Sequence, residues 1–350
     1  MTDKHSEQEH RKDGLGERAL IASAAGAAIA AVFLVAWYAI DVLLLIFAGI
    51  LLSILLHGLS SRLSSLLPLG YRWCFAIVVL SIFLCLGLLG WFFADRISGE
   101  TEQLSERLPK AARQLLDRLE RYDWIKAVVD DAPSPERLLR DQPELMTRAT
   151  GFVSTTLGAV TSAFVILFIG LYLAFDPDLY KKGVLRLIPA SRRERAAAVL
   201  GRVGDTLWWW LLAHFGAMTV VGVLTTIGLL LLGIPLAFVL GVIAGVLAFI
   251  PNIGPILSAV PAILIAFSES SDKAFYVVIL YIVVQAVETN LITPVFELKA
   301  VSLPPALTIS VQLLIGSLAG MLGLLLASPI CAASMVLVQM LYIEDWLHES

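Results

Sequence analysis

The residues best suited to bind a solute or an ion lie in two short apolar stretches. In the first, "AFIPNIGPILSAVPAILIAF" (248–267), Pro251 and Pro255 lack a main-chain N–H, Gly254 lacks a Cβ and Asn252 carries an amide. A helix broken here leaves main-chain carbonyls without helical partners, and transporters place such breaks at solute and ion sites. The alternative is a proline kink whose polar groups are satisfied by neighbouring helices.

The second stretch, "YIVVQAVETNLITPVF" (281–296), carries a polar face. A carboxylate in an apolar span costs about 2.5–3.5 kcal/mol, so it normally faces a bundle interior or a watery path and has a partner. The alternative is that Glu288 lies at the interface, bonded to a backbone amide. Pro294 is predicted to end or kink the helix just beyond Thr293. Five residues share one helical face: Tyr281, Gln285, Glu288, Thr289 and Ile292.

We hypothesise that the two breaks meet at one site. Glu288 would supply charge, Gln285 and Asn252 would supply hydrogen bonds to solute hydroxyls, and freed carbonyls would supply further acceptors. The predicted solute or ion pathway contains Pro251, Asn252, Gly254, Pro255, Gln285, Glu288, Thr289, Thr293 and Pro294.

Composition indicates the class of protein that must position these residues. Hydrophobic residues make up 58% of the chain and charged residues 15%, and the mean hydropathy is +0.84. These values predict an all-α, polytopic integral membrane protein with broken or re-entrant segments and an extramembrane helical insertion. Cys74, Cys85 and Cys331 each lie in an apolar run and show no paired spacing, so neither a disulfide nor a metal site is predicted.

The length of the apolar runs divides the chain into about eight spans, because a bilayer core about 30 Å thick needs about 20 residues per helix. The last stretch is read as one tilted helix with a break at Ser328–Pro329, counted once, or as two short segments. The predicted spans cover about 20–39, 42–57, 73–93, 151–175, 207–232, 236–267 (broken), 274–294 and 306–342.

The hydrophilic segments predict an orientation. Residues 176–206 carry a marked excess of Lys and Arg, which is typical of a cytoplasmic loop, so 95–150 would be extracytoplasmic. A heptad pattern containing Leu104 and Ala111 indicates an amphipathic helix in 95–150. The predicted divisions are a cytoplasmic tail 1–19, spans 20–94, the external segment 95–150, span 151–175, the basic loop 176–206, the broken-helix core 207–343 and the tail 344–350.

Three glycines in the last apolar stretch have a spacing typical of helix packing. Gly316, Gly320 and Gly323 give a spacing of small residues that lets helix backbones approach closely. This predicts helix packing, either within a protomer or between protomers. We favour packing within the protomer.

Both broken stretches resemble motifs of one bacterial family. "PNIGPILSAVPAILIAF" is similar to the P-x-x-G-P motif of the autoinducer-2 exporter (AI-2E) family, also described as PerM-type permeases. "ETNLITPVFELKAVSLPPALTISVQLLIGSLAGMLGLLLASPI" (288–330) resembles its second signature. The resemblance covers about residues 15–345 and departs from the frequent pattern at Glu297-Leu298 and at Pro304.

The resemblance implies a multi-pass protein of the bacterial cytoplasmic (inner) membrane. Members are described as exporters of the quorum-sensing signal autoinducer-2 or as sodium/proton antiporters. The implied partners are the lipid bilayer, a small polar solute, H⁺ or Na⁺, and further copies in a homo-oligomer, for which a pentamer is a guess. No nucleic acid is expected.

The chain lacks a P-loop and a nucleophile elbow. We therefore predict no enzymatic activity, no catalytic residues and no cofactor. Two classes of protein fit these observations: a transporter, and a non-transporting scaffold whose external helices bind a partner.

Overall fold

A computed structural model describes residues 39–119, 143–292 and 304–347. Regular structure in these ranges is entirely helical. The α-helices are α1 Ile40–Leu66, α2 Tyr71–Leu119, α3 Pro143–Phe175, α4 Pro177–Arg186, α5 Arg193–Leu231, α6 Ala237–Leu247, α7 Ile253–Glu269, α8 Ser271–Val287 and α9 Pro305–Leu337. A 3₁₀ turn covers Ala190–Arg192, and π-helical segments cover Glu288–Ile292 and Val338–Glu344.

Several helices are suited to a bilayer, where the main chain must satisfy its own hydrogen bonds. Within the described ranges, four helical segments are long and apolar enough to cross a membrane, and a bent pair adds a fifth. Shorter apolar helices occur at Ala237–Leu247 and Ile253–Glu269. The prediction of an all-α polytopic membrane protein is confirmed. The predicted first span, 20–39, lies outside the described residues.

The third predicted span and the external amphipathic segment form one helix. α2 contains 49 residues, which gives a length of about 73 Å, and its membrane-type part is Tyr71–Leu88. Beyond that part, Leu104 packs against the core that α5, α6 and α7 share, and Phe93 stacks on Phe238 of α6.

The segment predicted as the basic cytoplasmic loop, 176–206, is mostly helical. α3 ends at Phe175, and Asp176 caps α4 by accepting a hydrogen bond from the Leu179 N–H at 3.3 Å. The two helices meet at a bend of 87°. α5 then begins at Arg193 and continues without interruption into the predicted span.

The stretch 236–267 folds back instead of crossing. α6 contains 11 residues and is therefore about 16 Å long, half the thickness of a bilayer core. Leu240 of α6 shares a core with Ala262 of α7, and Lys273 Nζ donates to the Gly233 carbonyl at 3.0 Å. Both arms therefore end at the carboxyl end of α5. We call Ala237–Glu269 the first hairpin.

The last apolar stretch also folds back. Ala319 (φ −128°, ψ 16°) and Gly320 (φ 60°, ψ −139°) interrupt α9, while Ser328–Pro329 continues the helix. The break was therefore predicted at the wrong place. Gln312 Nε2 lies 3.3 Å from Ser328 Oγ, whereas 16 residues of straight helix would separate them by about 24 Å. We call Pro305–Leu337 the second hairpin.

The second hairpin is anchored at the opposite end of α5. Arg195, near the start of α5, binds Glu344 at 2.8 Å and Asp345 at 2.9 Å, and also donates to the Met340 carbonyl. These residues follow the returning arm. The two hairpins therefore enter from the two opposite ends of α5.

Candidate functional site

The first hairpin turns at a single strained residue. Asn252 has φ 67° and ψ −42°, and the Ile253 N–H donates to the Pro251 carbonyl at 2.8 Å. This is a three-residue γ-turn with positive φ, a rare and strained conformation. Strain of this kind persists where the surrounding structure fixes it, commonly at binding sites. The break predicted between α6 and α7 is present, and its centre is Asn252.

The break leaves fewer free carbonyls than the sequence predicted. The Leu247 carbonyl accepts from Ile250 N at 2.9 Å, and the Ile250 carbonyl accepts from Gly254 N at 2.9 Å. A Cβ at Gly254 would overlap the Leu247 carbonyl oxygen. The tip is thus tightly closed by its own backbone, which is how irregular structure is tolerated at membrane depth. Pro255 lies in the first turn of α7, where its carbonyl accepts from Ser258 Oγ at 3.0 Å.

The second hairpin contributes a buried amide that the sequence analysis missed. Gln312 Nε2 donates to the Pro251 carbonyl at 3.2 Å and to Ser328 Oγ at 3.3 Å. Gln312 is completely buried. A signal for it existed, because Gln312 is the single amide in a 33-residue helix that carries no charged residue, and polar groups inside a membrane are expensive.

The polar face predicted on α8 is present. Gln285 Nε2 donates to Glu288 Oε2 at 3.0 Å and lies 3.4 Å from Thr289 Oγ1. One turn away, the Tyr281 hydroxyl donates to the Ser258 carbonyl at 3.1 Å. The side chains of this face therefore form hydrogen bonds to one another and to the first hairpin.

The helix changes character before the predicted proline. α8 ends at Val287, and Glu288–Ile292 is π-helical. π-helical turns are frequent at functional sites. Thr293 and Pro294 lie outside the described residues, so their predicted roles stay predictions.

The two irregular segments lie at a similar depth. α7 and α8 are antiparallel neighbours, and the Tyr281–Ser258 hydrogen bond fixes their register. Glu288 follows Tyr281 by seven residues, and Pro251 precedes Ser258 by seven. Glu288 is therefore roughly level with the tip of the first hairpin.

The three predicted packing glycines have two different environments. A Cβ at Gly316 would lie 3.5 Å from Leu324, and one at Gly323 would overlap the Ile315 carbonyl oxygen, so both face the opposite arm of the same hairpin. Gly320 instead has φ 60° and open space around it, so it forms the turn. Only glycine adopts that backbone conformation without strain.

Two histidines near the ends of predicted spans, His57 and His214, make ordinary contacts. His57 Nδ1 lies 2.9 Å from the Tyr71 hydroxyl, which donates to the Ala174 carbonyl. His214 stacks on Trp210 with ring centroids 3.8 Å apart. Across the described ranges, His, Cys, Asp and Glu do not gather in groups of three that could hold a metal ion. The meeting place of the hairpins is instead uncharged and polar, with one carboxylate on α8 at the same level.

Short apolar helices whose ends meet beside polar side chains are typical of one class of protein, the polytopic membrane transporters. The sequence profile described as "AI-2E family transporter" matches residues 27–343. The chain belongs to this family, as its two motifs predicted.

Two relatives match this chain over most of their length. The chain is 27% identical over 270 residues to the "Putative transport protein YueF" of Bacillus subtilis (strain 168), with 73% of each chain covered. It is 25% identical over 293 residues to the "AI-2 transport protein TqsA" of Escherichia coli (strain K12), covering 83% of this chain and 81% of that protein.

Proposed function

We propose that this protein is a secondary transporter whose solute passes between the tip of the first hairpin and the arms of the second. The observation that carries the proposal is the hydrogen bond from Gln312 to the Pro251 carbonyl. It joins the tip of the first hairpin to the arms of the second, and the two hairpins enter from opposite ends of α5. A site enclosed between them can open toward one side of the membrane when one hairpin moves and toward the other side when its partner moves.

The side chains near the first hairpin tip suit a small polar solute. Asn252 is exposed at the turn and offers both donor and acceptor atoms. Gln285, Glu288 and Thr289 present one carboxylate and two neutral polar groups at the same depth. A solute with several hydroxyl groups fits this set, and an autoinducer-2-like signal is our first candidate because a relative is named an AI-2 transport protein. Thr293 and Pro294 would extend the path.

Coupling to H⁺ or Na⁺ would act through Glu288, the carboxylate at this level. A group that can gain and lose charge in a transport path can couple solute movement to an ion gradient. The alternative is that the same site exchanges Na⁺ for H⁺, as a sodium/proton antiporter does.

We place the protein in the bacterial inner membrane with the N-terminus and the Arg195 end of α5 in the cytoplasm, and we propose outward transport. Lys and Arg are concentrated at the Arg195 end, which favours a cytoplasmic location. A homo-oligomer is part of the proposal.

Reconstituted liposomes test this function. We expect wild-type protein to move autoinducer-2 across the membrane, with a rate that responds to a pH or Na⁺ gradient. Glu288→Gln keeps the shape and the hydrogen bond to Gln285 but cannot titrate, so coupled flux should be lost and its pH dependence flattened.

The control is Glu102→Gln, which should leave flux unchanged. Glu102 is exposed on the part of α2 beyond Leu88, which we call the α2 extension. Wild-type flux and pH dependence in Glu288→Gln would remove this carboxylate from the mechanism. A wild-type protein that moves neither autoinducer-2 nor Na⁺ nor H⁺ would favour the scaffold.

A further inference from the structure

The contact between the first hairpin tip and the second hairpin is polar and only half satisfied. Gln312 lies seven residues before the turn at Ala319–Gly320, about 10 Å along the outgoing arm from the second tip. The amide nitrogen of Gln312 makes two hydrogen bonds of 3.2 and 3.3 Å, at the long end of the usual range. Its Oε1 atom is buried and accepts no hydrogen bond from the described residues. Because the Pro251 carbonyl can only accept, it fixes which end of the amide faces it.

A half-satisfied amide lowers the free energy needed to separate the first tip from the second hairpin. In the closed contact Oε1 bears the penalty of burial without a partner. When the first tip and the second hairpin part, water can bond to both ends of the amide, and that penalty disappears. An apolar side chain of similar shape would do the reverse, because it loses nothing on burial and must be exposed to water on opening.

The neighbours of Gln312 do not depend on it. The Pro251 carbonyl also accepts from Ile253 N within the γ-turn, at 2.8 Å. Ser328 lies inside a helix, where a serine hydroxyl can bond to a carbonyl of the preceding turn. Replacing Gln312 by an apolar residue therefore leaves no new buried polar group without a partner.

We propose that Gln312 is the gating residue of the transporter, keeping the tip of the first hairpin in a contact with the arms of the second that closes the path and yet separates in every cycle. This rests on the proposed function, since it assumes that the first tip parts from the second hairpin during transport. Gln312 is not among the residues of the predicted pathway, and a gating role explains why an amide occupies this buried position.

Two substitutions at Gln312 should shift the opening in opposite directions. Gln312→Met keeps the length of the side chain without polar hydrogen-bonding groups, so it should favour the closed contact. Gln312→Glu keeps the shape but buries a carboxylate without donors, so it should favour the open, hydrated state. Damage to packing alone would move both variants the same way.

Cys331 provides a native probe of opening. It is buried on the returning arm, three residues after Ser328. With Cys74 and Cys85 replaced by alanine, its rate of reaction with a water-soluble maleimide can be measured in liposomes that contain the full chain. Relative to the same protein with Gln312 retained, we expect the labelling of Cys331 to be about tenfold slower in Gln312→Met and about tenfold faster in Gln312→Glu, the effect of roughly one hydrogen bond.

Thermal stability and flux complete the test. Gln312→Met should unfold at the wild-type temperature or above it, while its solute flux falls about tenfold. The control, Gln339→Met, removes an exposed amide and should change neither labelling nor unfolding.

Equal labelling rates in the three forms, or shifts in one direction for both variants, would overturn the proposal. If Gln312→Glu does not fold, the Gln312→Met variant alone decides the test. Slower labelling of Cys331 without loss of stability would support the gating role of Gln312, and faster labelling would contradict it. Labelling needs no cargo, so an expected labelling order without any flux would refute the proposed function separately.

Discussion

Single residues set the geometry of the first hairpin tip. Asn252 occupies a positive-φ conformation that asparagine adopts more readily than most residues. Gly254 lets the start of α7 press against the end of α6, where any Cβ would meet a carbonyl oxygen. Each position therefore has a backbone requirement that is separate from solute binding.

Substitutions at Asn252 separate these two roles. Asn252→Gly retains the turn and removes the amide, so the unfolding temperature should stay near wild type while solute flux falls about fivefold, the effect of one lost hydrogen bond. Asn252→Ala should also destabilise the protein, by about 1–2 kcal/mol, because alanine is strained at positive φ. Thermal unfolding and liposome flux measure the two effects. Equal stability of the two variants would contradict the strained turn.

Gly254→Ala tests the close approach of the arms. The added methyl must displace backbone on both sides, so we expect a loss of about 1–3 kcal/mol in the free energy of unfolding. Gly201→Ala is the matched control, since it lies in α5 with open space around it and should stabilise the helix slightly. Thermal unfolding in detergent measures both variants, and a Gly254→Ala protein as stable as wild type would refute the tight tip.

At the scale of helices, the extension of α2 supports the first hairpin. Glu100 Oε2 accepts from the Val239 N–H at 3.0 Å, so a side chain from another helix caps the start of α6. The residue at the N-cap position, Leu236, provides no side-chain cap. Further along α2, Arg107 lies 3.9 Å from Glu269 at the end of α7. The extension thus contacts both arms of the hairpin where they leave the apolar core.

Removing the cap should loosen α6 locally. We expect Glu100→Ala to destabilise the first turn of α6 by about 0.5–2 kcal/mol, because an unpaired N–H is left at a helix start. Hydrogen exchange of the amides in 237–247 measures the change. Glu102→Ala, on the same helix, should leave exchange unchanged. Uniformly faster exchange throughout the protein would indicate general instability and contradict a local cap.

At the scale of the whole molecule, the two hairpins determine how the chain crosses the membrane. The segments at 236–267 and 306–342 each return to the end from which they entered. Arg195 holds the residues after the second hairpin at the start of α5. The carboxyl terminus should therefore share a side with the basic segment 176–206.

Reporter fusions test this topology. A reporter after Arg193 and one after Ser350 should both read as cytoplasmic, and one after Glu120 should read as external, because the α2 extension lies at the other end of α5. Alkaline phosphatase and fluorescent protein fusions give complementary signals. A reporter at Ser350 on the external side would contradict the second hairpin, and matching locations for Arg193 and Glu120 would overturn the orientation.

The sequence by itself determined the class of protein, most helix positions and one of the two breaks. Long apolar runs cannot remain in water and must form helices in a bilayer, so composition was sufficient. Two prolines around Asn252 made the first break visible. The polar face of α8 followed from helical periodicity alone, because residues three and four apart share a face.

Only the tertiary structure decided where the chain turns back and which polar groups meet. Proline was a poor guide inside the membrane fold: Pro329 continues a helix, while the second turn is at Ala319–Gly320. Neighbouring helices can satisfy the groups that a proline frees, so its effect depends on packing that a sequence does not contain. The contact of Gln312 with Pro251 spans 61 residues, and helical periodicity carries no information about pairing at that distance.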